Sequence, residues 1–118
     1  MAGKWLAYYA DHRGRSPVLE FLERLAPQER KKAAGYLGYL RVSGEALRRP
    51  VAAYLGHAMY ELRPKQIRIL YAFVGPYAAI LHAFRKTTGA IPDRELAVAQ
   101  QRLVEMRVSY ARGTLTAV

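Results

Sequence analysis

Apolar and polar residues repeat with two different periods along the chain, and the period changes near residue 58. Residues 17–42 and 92–107 carry apolar side chains three and four positions apart, the spacing that places them on one face of a helix. Residues 58–86 instead alternate every second position and are rich in β-branched and aromatic side chains, which indicates strands. The pattern therefore predicts helices, then a block of strands, then a last helix.

Helix-start signals divide the helical regions. Ser16 followed by Pro17 predicts the start of the first helix, because the serine hydroxyl accepts a free backbone N–H and proline is preset for the first turn. Pro27 separates this helix from a second one over about residues 28–42. Pro92 opens the last helix. Its predicted apolar stripe is Leu96, Ala99, Leu103 and Met106.

The other segments predict a sheet. Residues 4–10 are aromatic and short, which suits an opening strand, and three segments within 58–86 are joined by tight turns, as in an antiparallel meander. The predicted order is β-α-α-β-β-β-α, an α+β fold with a small, mainly antiparallel sheet covered by helices. Residues 1–107 form a single domain in this interpretation. Residues 108–118 are a C-terminal tail, part of which we expect to be mobile or held by a partner.

The chain is strongly basic. It has 19 lysine and arginine residues against 9 aspartate and glutamate residues, a net charge of +10 that attracts polyanions such as nucleic acid or an acidic protein. The absence of cysteine excludes a disulfide framework, a thiol nucleophile and a cysteine zinc site. No apolar run is as long as a membrane helix and no secretory signal is visible, so we expect a cytoplasmic protein that does not bind membranes.

Metal and cofactor chemistry have no support in the sequence. His12, His57 and His82 are scattered, and the acidic residues are mostly interleaved with cations instead of clustered as a divalent metal requires. No glycine-rich phosphate-binding motif is present. We therefore expect neither a metal nor a cofactor.

Cations gather at the strand ends of the predicted meander. Arg63 ends its first strand, Lys65 follows at the turn, and Lys86 ends its last strand with Arg85 on the opposite face. Adjacent antiparallel strands bring such ends close together, and a group of this sign suits a phosphodiester. The alternative is that these cations only keep the sheet soluble and block pairing at its edges.

Other residues of the meander are open to two interpretations. Arg68 lies within an apolar strand, where an unpaired charge is costly, so it needs a partner such as Glu61 or a cleft with a ligand. His82 is either a half-buried structural histidine or a group that transfers protons near neutral pH. Tyr71 and Phe84 are core residues or rings on which a base could stack.

At this point the sequence resembles a known superfamily. The segments "YELRPKQIRILYAF" and "AILHAFRKTTGAIPDRELAVAQQRL" are similar to the RelE/ParE toxin superfamily, most closely to its phage-derived, HigB-like branch. The resemblance extends over residues 58–105 and implies a RelE-like fold of the microbial ribonuclease type. The residues that carry it are Glu61-Leu62-Arg63, Arg68, His82 to Thr87, Pro92, Glu95 and Ala99.

The resemblance implies the toxin of a type II toxin–antitoxin system, a metal-independent endoribonuclease that cleaves translated mRNA on the ribosome. It also implies a cognate antitoxin with a helix-turn-helix domain. Matched by strand position, Arg63, Arg68 and Lys86 would bind and stabilise the phosphate. His82 would be the proton-transfer group. The supporting RNA contacts would be Lys65, Arg85, Tyr71 and Phe84.

Two alternatives remain open on the sequence. The superfamily also contains gyrase-inhibiting toxins that do not cut RNA, and a degenerate phage-derived protein would act only through its partners. A plain basic RNA-binding module would carry the same charge without any cleavage.

Overall fold

The computed structural model describes residues 3–87 and 89–115. Within these ranges the chain forms five strands and three helices, with a short 3-10 turn after the second helix. The elements are β1 Trp5–Tyr8, α1 Pro17–Glu23, α2 Pro27–Ser43, β2 Ala52–Gly56, β3 Met59–Leu62, β4 Ile67–Val74, β5 Tyr77–Arg85 and α3 Asp93–Ala111.

The strands form one sheet in the spatial order β1-β5-β4-β3-β2. Strands β2 to β5 pair antiparallel, and β1 joins β5 in parallel. This topology confirms the predicted α+β fold with its mainly antiparallel sheet, but it adds β2, which the sequence did not predict. The β2 segment "AAYLG" has a weak strand pattern, and pairing with β3 sets its position, with Ala52 opposite Leu62 and Ala53 opposite Glu61.

Helices α1 and α2 cover one face of the sheet. The Ser16 hydroxyl accepts the N–H of Leu19 at 3.2 Å and Pro17 is the first residue of α1, as the sequence predicts. The apolar face of α2 packs on the same side of the sheet. The buried side chains of this core include Val18, Leu22, Ala33, Leu37, Leu40, Leu62, Ile67, Ile69 and Tyr71.

Helix α3 covers the opposite face through the predicted stripe. Its residues Ala99, Leu103 and Met106 are buried, and Leu96 is partly buried. They pack against alternate side chains of the strands. These are Ala7, Tyr9, Leu70, Ala72, Val74, Ala79, Leu81 and Phe84. Strand β4 is thus buried on both faces, which explains its nearly unbroken apolar sequence.

Strand β5 contains an irregularity that matters for the site. Leu70 of β4 pairs with His82, but the next residue, Tyr71, pairs with Ile80, so Leu81 is an extra residue in β5. Such a bulge turns two consecutive side chains to the same face. Leu81 packs in the α3-side core, and His82 contacts α3.

The last helix is longer than the sequence pattern indicates. The predicted end was residue 107, whereas α3 continues to Ala111. Further along, Leu115 packs against the α3-side core and its carbonyl accepts the Tyr77 hydroxyl at 3.4 Å. The remainder of the predicted tail, residues 116–118, lies outside the described residues. Across residues 3–87 and 89–115, no helix is both long and apolar enough to cross a membrane.

Candidate functional site

A row of paired residues crosses the sheet on the α3 side. Glu61 of β3 lies opposite Leu70 of β4, and Leu70 lies opposite His82 of β5. Residues two positions apart on a strand share a face, so Arg63 and Arg68 point to the same side as this row. The register therefore gathers the predicted E-L-R strand, the arginine of β4 and the histidine of β5 on one face.

Glu61 holds the two arginines. Its Oε2 accepts a hydrogen bond from Arg63 Nη1 at 3.1 Å, and its Oε1 lies 3.7 Å from Arg68 Nε. Glu61 and Arg68 each have 7% of the side chain exposed, whereas Arg63 has 29% exposed. The predicted partner of Arg68 is thus confirmed. Arg63 retains donors that face solvent, because Glu61 engages only one of its nitrogens among the described contacts.

Arg68 is fixed by backbone groups as well. Its Nη1 donates to the carbonyl oxygens of Lys65 at 2.7 Å and Ile67 at 2.9 Å. Burial lowers the pKa of Arg68 and the nearby Glu61 carboxylate opposes that shift. This guanidinium therefore acts beneath the surface: it fixes the turn between β3 and β4 and orients Glu61.

Lys86 extends the ladder one residue beyond β5. Its backbone N–H donates to the Gln66 carbonyl oxygen at 2.7 Å, and strand alternation from Phe84 places its side chain on the α3 side. The side chain is half-buried and makes no hydrogen bond or ion pair with any residue in 3–87 or 89–115. We call Arg63, Arg68 and Lys86 the cationic cluster. Arg63 and Lys86 are the more exposed members of the cluster, and their side chains have hydrogen-bond donors that remain free for an anion.

His82 is engaged at both ring nitrogens. Nε2 lies 2.7 Å from Glu95 Oε1 of α3, and Nδ1 lies 3.3 Å from Arg102 Nη1. Arg102 has only donors, so Nδ1 is the acceptor and Nε2 carries the hydrogen that Glu95 accepts. The ring therefore donates from Nε2 to the Glu95 carboxylate, which has 18% of its side chain exposed.

The same network continues along α3. Arg102 Nη1 also donates to the Leu81 carbonyl oxygen at 2.9 Å, and its guanidinium lies 4.8 Å from the centroid of the Tyr9 ring. The Tyr9 hydroxyl donates to Glu105 Oε1 at 3.0 Å; burial and this carboxylate raise the pKa of Tyr9. No pattern in the sequence pointed to a role for Arg102 or Tyr9 in the site. The spacing of Glu95 and Arg102 in the last helix could have grouped them, because residues seven positions apart lie on the same helix face.

Three of the predicted site residues lie on the other side of the sheet or turn toward it. Tyr71 is 1% exposed in the core beneath α1 and α2, where its ring stacks on Tyr60 and burial raises its pKa. Arg85 forms two hydrogen bonds to Glu29 of α2, at 2.6 and 2.9 Å. The side chain of Lys65 lines a groove along α2. Tyr71 is therefore a packing residue here, and Arg85 and Lys65 are separate from the cationic cluster.

Phe84 lies on the α3 side but is buried. It is opposite Arg68 in the β4–β5 pair, and its ring centroid is 5.6 Å from that of His82. With 6% of the residue exposed, the ring packs under the cluster and leaves little surface for a base. Within the described residues, no group of three or more histidine, aspartate or glutamate side chains could hold a metal ion.

Comparison with protein families decides the family. A family profile described as "Phage derived protein Gp49-like (DUF891)" matches residues 20–104, well over half of the chain. The chain belongs to this family. The Gp49-like family is a RelE-like toxin family, and membership is consistent with the toxin of a toxin–antitoxin pair. The matched span contains the cationic cluster together with Glu61, His82, Glu95 and Arg102. No curated protein matches this Gp49-like chain.

Proposed function

We propose that this Gp49-like protein is the toxin of a type II toxin–antitoxin system and an endoribonuclease of the HigB-like branch. It cleaves translated mRNA at the ribosome, in the cytoplasm, and uses no metal. The observation that carries the proposal is the cationic cluster beside the His82–Glu95 pair. Phosphate-binding donors and a proton acceptor share one face at the carboxyl-terminal end of β5.

The cluster suits a phosphodiester. Arg63 and Lys86 offer free donors to the non-bridging phosphate oxygens, and a phosphorane carries more negative charge than the ground-state diester. Arg68 and Glu61 are positioning residues, since they hold Arg63 in place and do not reach the surface themselves. The guanidinium of Arg63, held by Glu61, and the ammonium of Lys86 therefore stabilise the transition state more than the substrate.

The reaction is an in-line attack of the RNA 2′-hydroxyl oxygen on the adjacent phosphorus. The 2′ O–H bond breaks, and Glu95 in its hydrogen bond to His82 accepts that proton. A new bond forms between the 2′ oxygen and phosphorus, and the bond from phosphorus to the 5′ oxygen breaks. The departing 5′ oxygen takes a proton from the Lys86 ammonium. The products are a 2′,3′-cyclic phosphate and a 5′-hydroxyl.

The proposed partners follow from the same account. A toxin of this kind requires a cognate antitoxin, which in the HigB-like branch carries a helix-turn-helix domain. The net charge of +10 favours an acidic antitoxin segment that covers the cationic face. Co-expression of that antitoxin should restore the growth of cells that the free protein arrests.

Mapping of RNA 5′ ends by primer extension tests the proposal. The protein is induced briefly in cells, and wild type is compared with Lys86→Ala at equal protein level. New 5′ ends inside coding regions, present only with wild type, support cleavage. Growth arrest without new ends, accompanied by gyrase-dependent DNA breaks, would replace this proposal with the gyrase-inhibiting one. If the cells show neither growth arrest nor new 5′ ends, both the nuclease proposal and the gyrase-inhibiting one are rejected.

A further inference from the structure

A groove runs along the exposed side of α2, away from the cationic cluster. It has a volume of about 350 Å³, and three lysines and two tyrosines contribute to its walls. We call it the α2 groove. The residues that matter for its chemistry are Lys31, Lys32, Tyr36, Tyr39, Lys65 and Gly35.

The lining of the α2 groove is positively charged, with three lysines and no acidic residue among the lining residues. The carboxylate of the nearby Glu29 is engaged by both terminal nitrogens of Arg85, whose hydrogen bonds lower the pKa of Glu29 and keep it ionised and paired. Lys31 makes no hydrogen bond or ion pair with the described residues, and neither does the Lys65 ammonium. The field that an approaching ligand meets is thus that of the lysines.

Aromatic rings lie between these cations. Tyr39 is 53% exposed, its ring centroid is 5.8 Å from that of Tyr36, and the Lys32 ammonium lies 5.3 Å from the Tyr36 centroid. Lysines that track a backbone, with exposed rings on which bases stack, are the combination found in single-stranded nucleic-acid grooves. An acidic peptide would use the lysines but has no comparable need for the exposed tyrosine ring.

Gly35 adds an observation that the fold does not explain. It is exposed in the interior of α2, where glycine is unfavourable, and a Cβ built on it would meet nothing within 4 Å. Packing within the chain therefore does not require glycine. Because Gly35 has no side chain, the backbone of α2 is uncovered at this point of the groove, and a ligand can approach it closely.

The α2 groove is connected to the candidate active site through one turn. Lys65 contributes its side chain to the groove and its carbonyl oxygen to the hydrogen bond that fixes Arg68. We propose that the α2 groove is a second RNA-binding surface, which holds a single-stranded segment of the RNA whose phosphodiester lies at the cationic cluster. This inference rests on the proposed function for its RNA substrate.

Fluorescence anisotropy with a labelled, unstructured 20-nucleotide RNA tests the inference. The full chain carries Lys86→Ala throughout, so that the probe is not cleaved, and each variant is first shown to fold by thermal unfolding. Lys31→Ala/Lys32→Ala is compared with Arg107→Ala/Arg112→Ala, which removes the same charge from two exposed residues of the α3 end. Tyr39→Phe and Tyr39→Ala separate the ring from the charge.

The lysine pair should flatten the slope of log affinity against log salt by about 1.4, since each lost phosphate contact contributes about 0.7. At 0.15 M salt this corresponds to an affinity about tenfold lower. Tyr39→Ala should weaken binding by about fivefold or more without changing the slope, and Tyr39→Phe should not. Equal losses in the lysine pair and the arginine control, or no loss in either, would overturn the inference.

A competition with poly-glutamate distinguishes the other class of partner. If poly-glutamate binds through Lys31 and Lys32 while RNA affinity ignores them, the α2 groove is a site for an acidic protein and the inference is wrong. The binding assay does not depend on cleavage. If the groove variants lose RNA but wild type produces no new 5′ ends, the groove is retained and the nuclease proposal is lost. If wild type cleaves but the groove variants bind RNA normally, the nuclease proposal is retained and the inference about the α2 groove is wrong.

Discussion

Arg68 Nε lies 3.7 Å from Glu61 Oε1, and each of the two side chains is 7% exposed. The pair connects β3 to β4 beneath Arg63, which donates a hydrogen bond to the same carboxylate. A charge buried to this degree is costly without partners, and Arg68 finds them in Glu61 and two backbone carbonyls. The surface cation of the site is therefore supported by a buried pair.

Glu61→Gln should destabilise the protein by about 3 kcal/mol, because it leaves the buried Arg68 without its counter-charge. Urea unfolding measures the difference. Glu45→Gln is the matched control, since Glu45 pairs with Lys4 at the surface, where the loss of one ion pair costs about 1 kcal/mol or less. Equal losses in the two variants would contradict a special role for the buried pair.

Replacement of the adjacent cations Arg85 and Lys86 should have different effects on the rate of RNA cleavage. Lys86→Ala should lower the RNA cleavage rate by about 100-fold or more, because a donor to the developing phosphorane is lost. Arg85→Ala should lower it by less than about fivefold, since its side chain lies with Glu29 on the other face. Single-turnover cleavage of a defined mRNA measures both. An equal loss in the two variants would show that total charge matters instead of position.

Glu95→Gln should slow cleavage by about 100-fold, the usual contribution of a positioned base, with little change in RNA affinity. The control is Glu105→Gln, which removes the same charge from the same helix at the carboxylate that accepts the Tyr9 hydroxyl. Cleavage rates and RNA affinity are measured for both variants. If Glu105→Gln is as slow as Glu95→Gln, the network is structural and the base lies elsewhere.

The Arg85–Glu29 pair should make stability depend on acidity. Hydrogen bonding to Arg85 lowers the pKa of Glu29 below its ordinary value of 4.5. A carboxylate with a lowered folded pKa stabilises the fold above its unfolded pKa and loses that contribution as pH falls through the folded value. Wild type should therefore melt higher than Glu29→Gln at pH 7, and the difference should shrink below about pH 4. A difference that stays constant down to pH 3 would contradict this.

Gly35→Ala should stabilise the free protein by about 0.5–1 kcal/mol, because alanine loses less backbone entropy in a helix and nothing blocks its Cβ. Thermal unfolding measures the gain. Gly75→Ala is the contrasting variant. Gly75 has a positive φ of 56°, and a Cβ there would clash with the Tyr110 ring, so this substitution should destabilise.

Much of the architecture could be predicted from the sequence because residues that are close together in the chain determine these elements. Ser16 and Pro17 set the start of α1 through a hydrogen bond within one turn. The alternation in β4 placed Arg68 opposite Ile67 and Ile69, and the structure confirms Glu61 as its partner. In each case the chemistry of a few consecutive residues, or of one neighbouring strand, determines the result.

The elements that escaped prediction depend on distant contacts. Strand β2 exists because β3 offers a pairing edge, since its alanines have little strand preference of their own. The extra residue Leu81 in β5 leaves no trace in the alternation, yet it frees the carbonyl that Arg102 binds. The contact between Arg102 and His82 needs both that bulge and the packing of α3 across the sheet.

The most direct test is cleavage of mRNA bound to translating ribosomes by the purified protein. One mRNA is all-ribose, and a second carries a single 2′-deoxy nucleotide at the mapped cleavage position. We expect the all-ribose mRNA to be cut to a 2′,3′-cyclic phosphate and a 5′-hydroxyl, and the 2′-deoxy position not to be cut. We expect Lys86→Ala to cut the all-ribose mRNA about 100-fold or more slowly than wild type. Cleavage at the 2′-deoxy position, or products that carry a 5′-phosphate, would contradict attack by the 2′-hydroxyl at the cationic cluster.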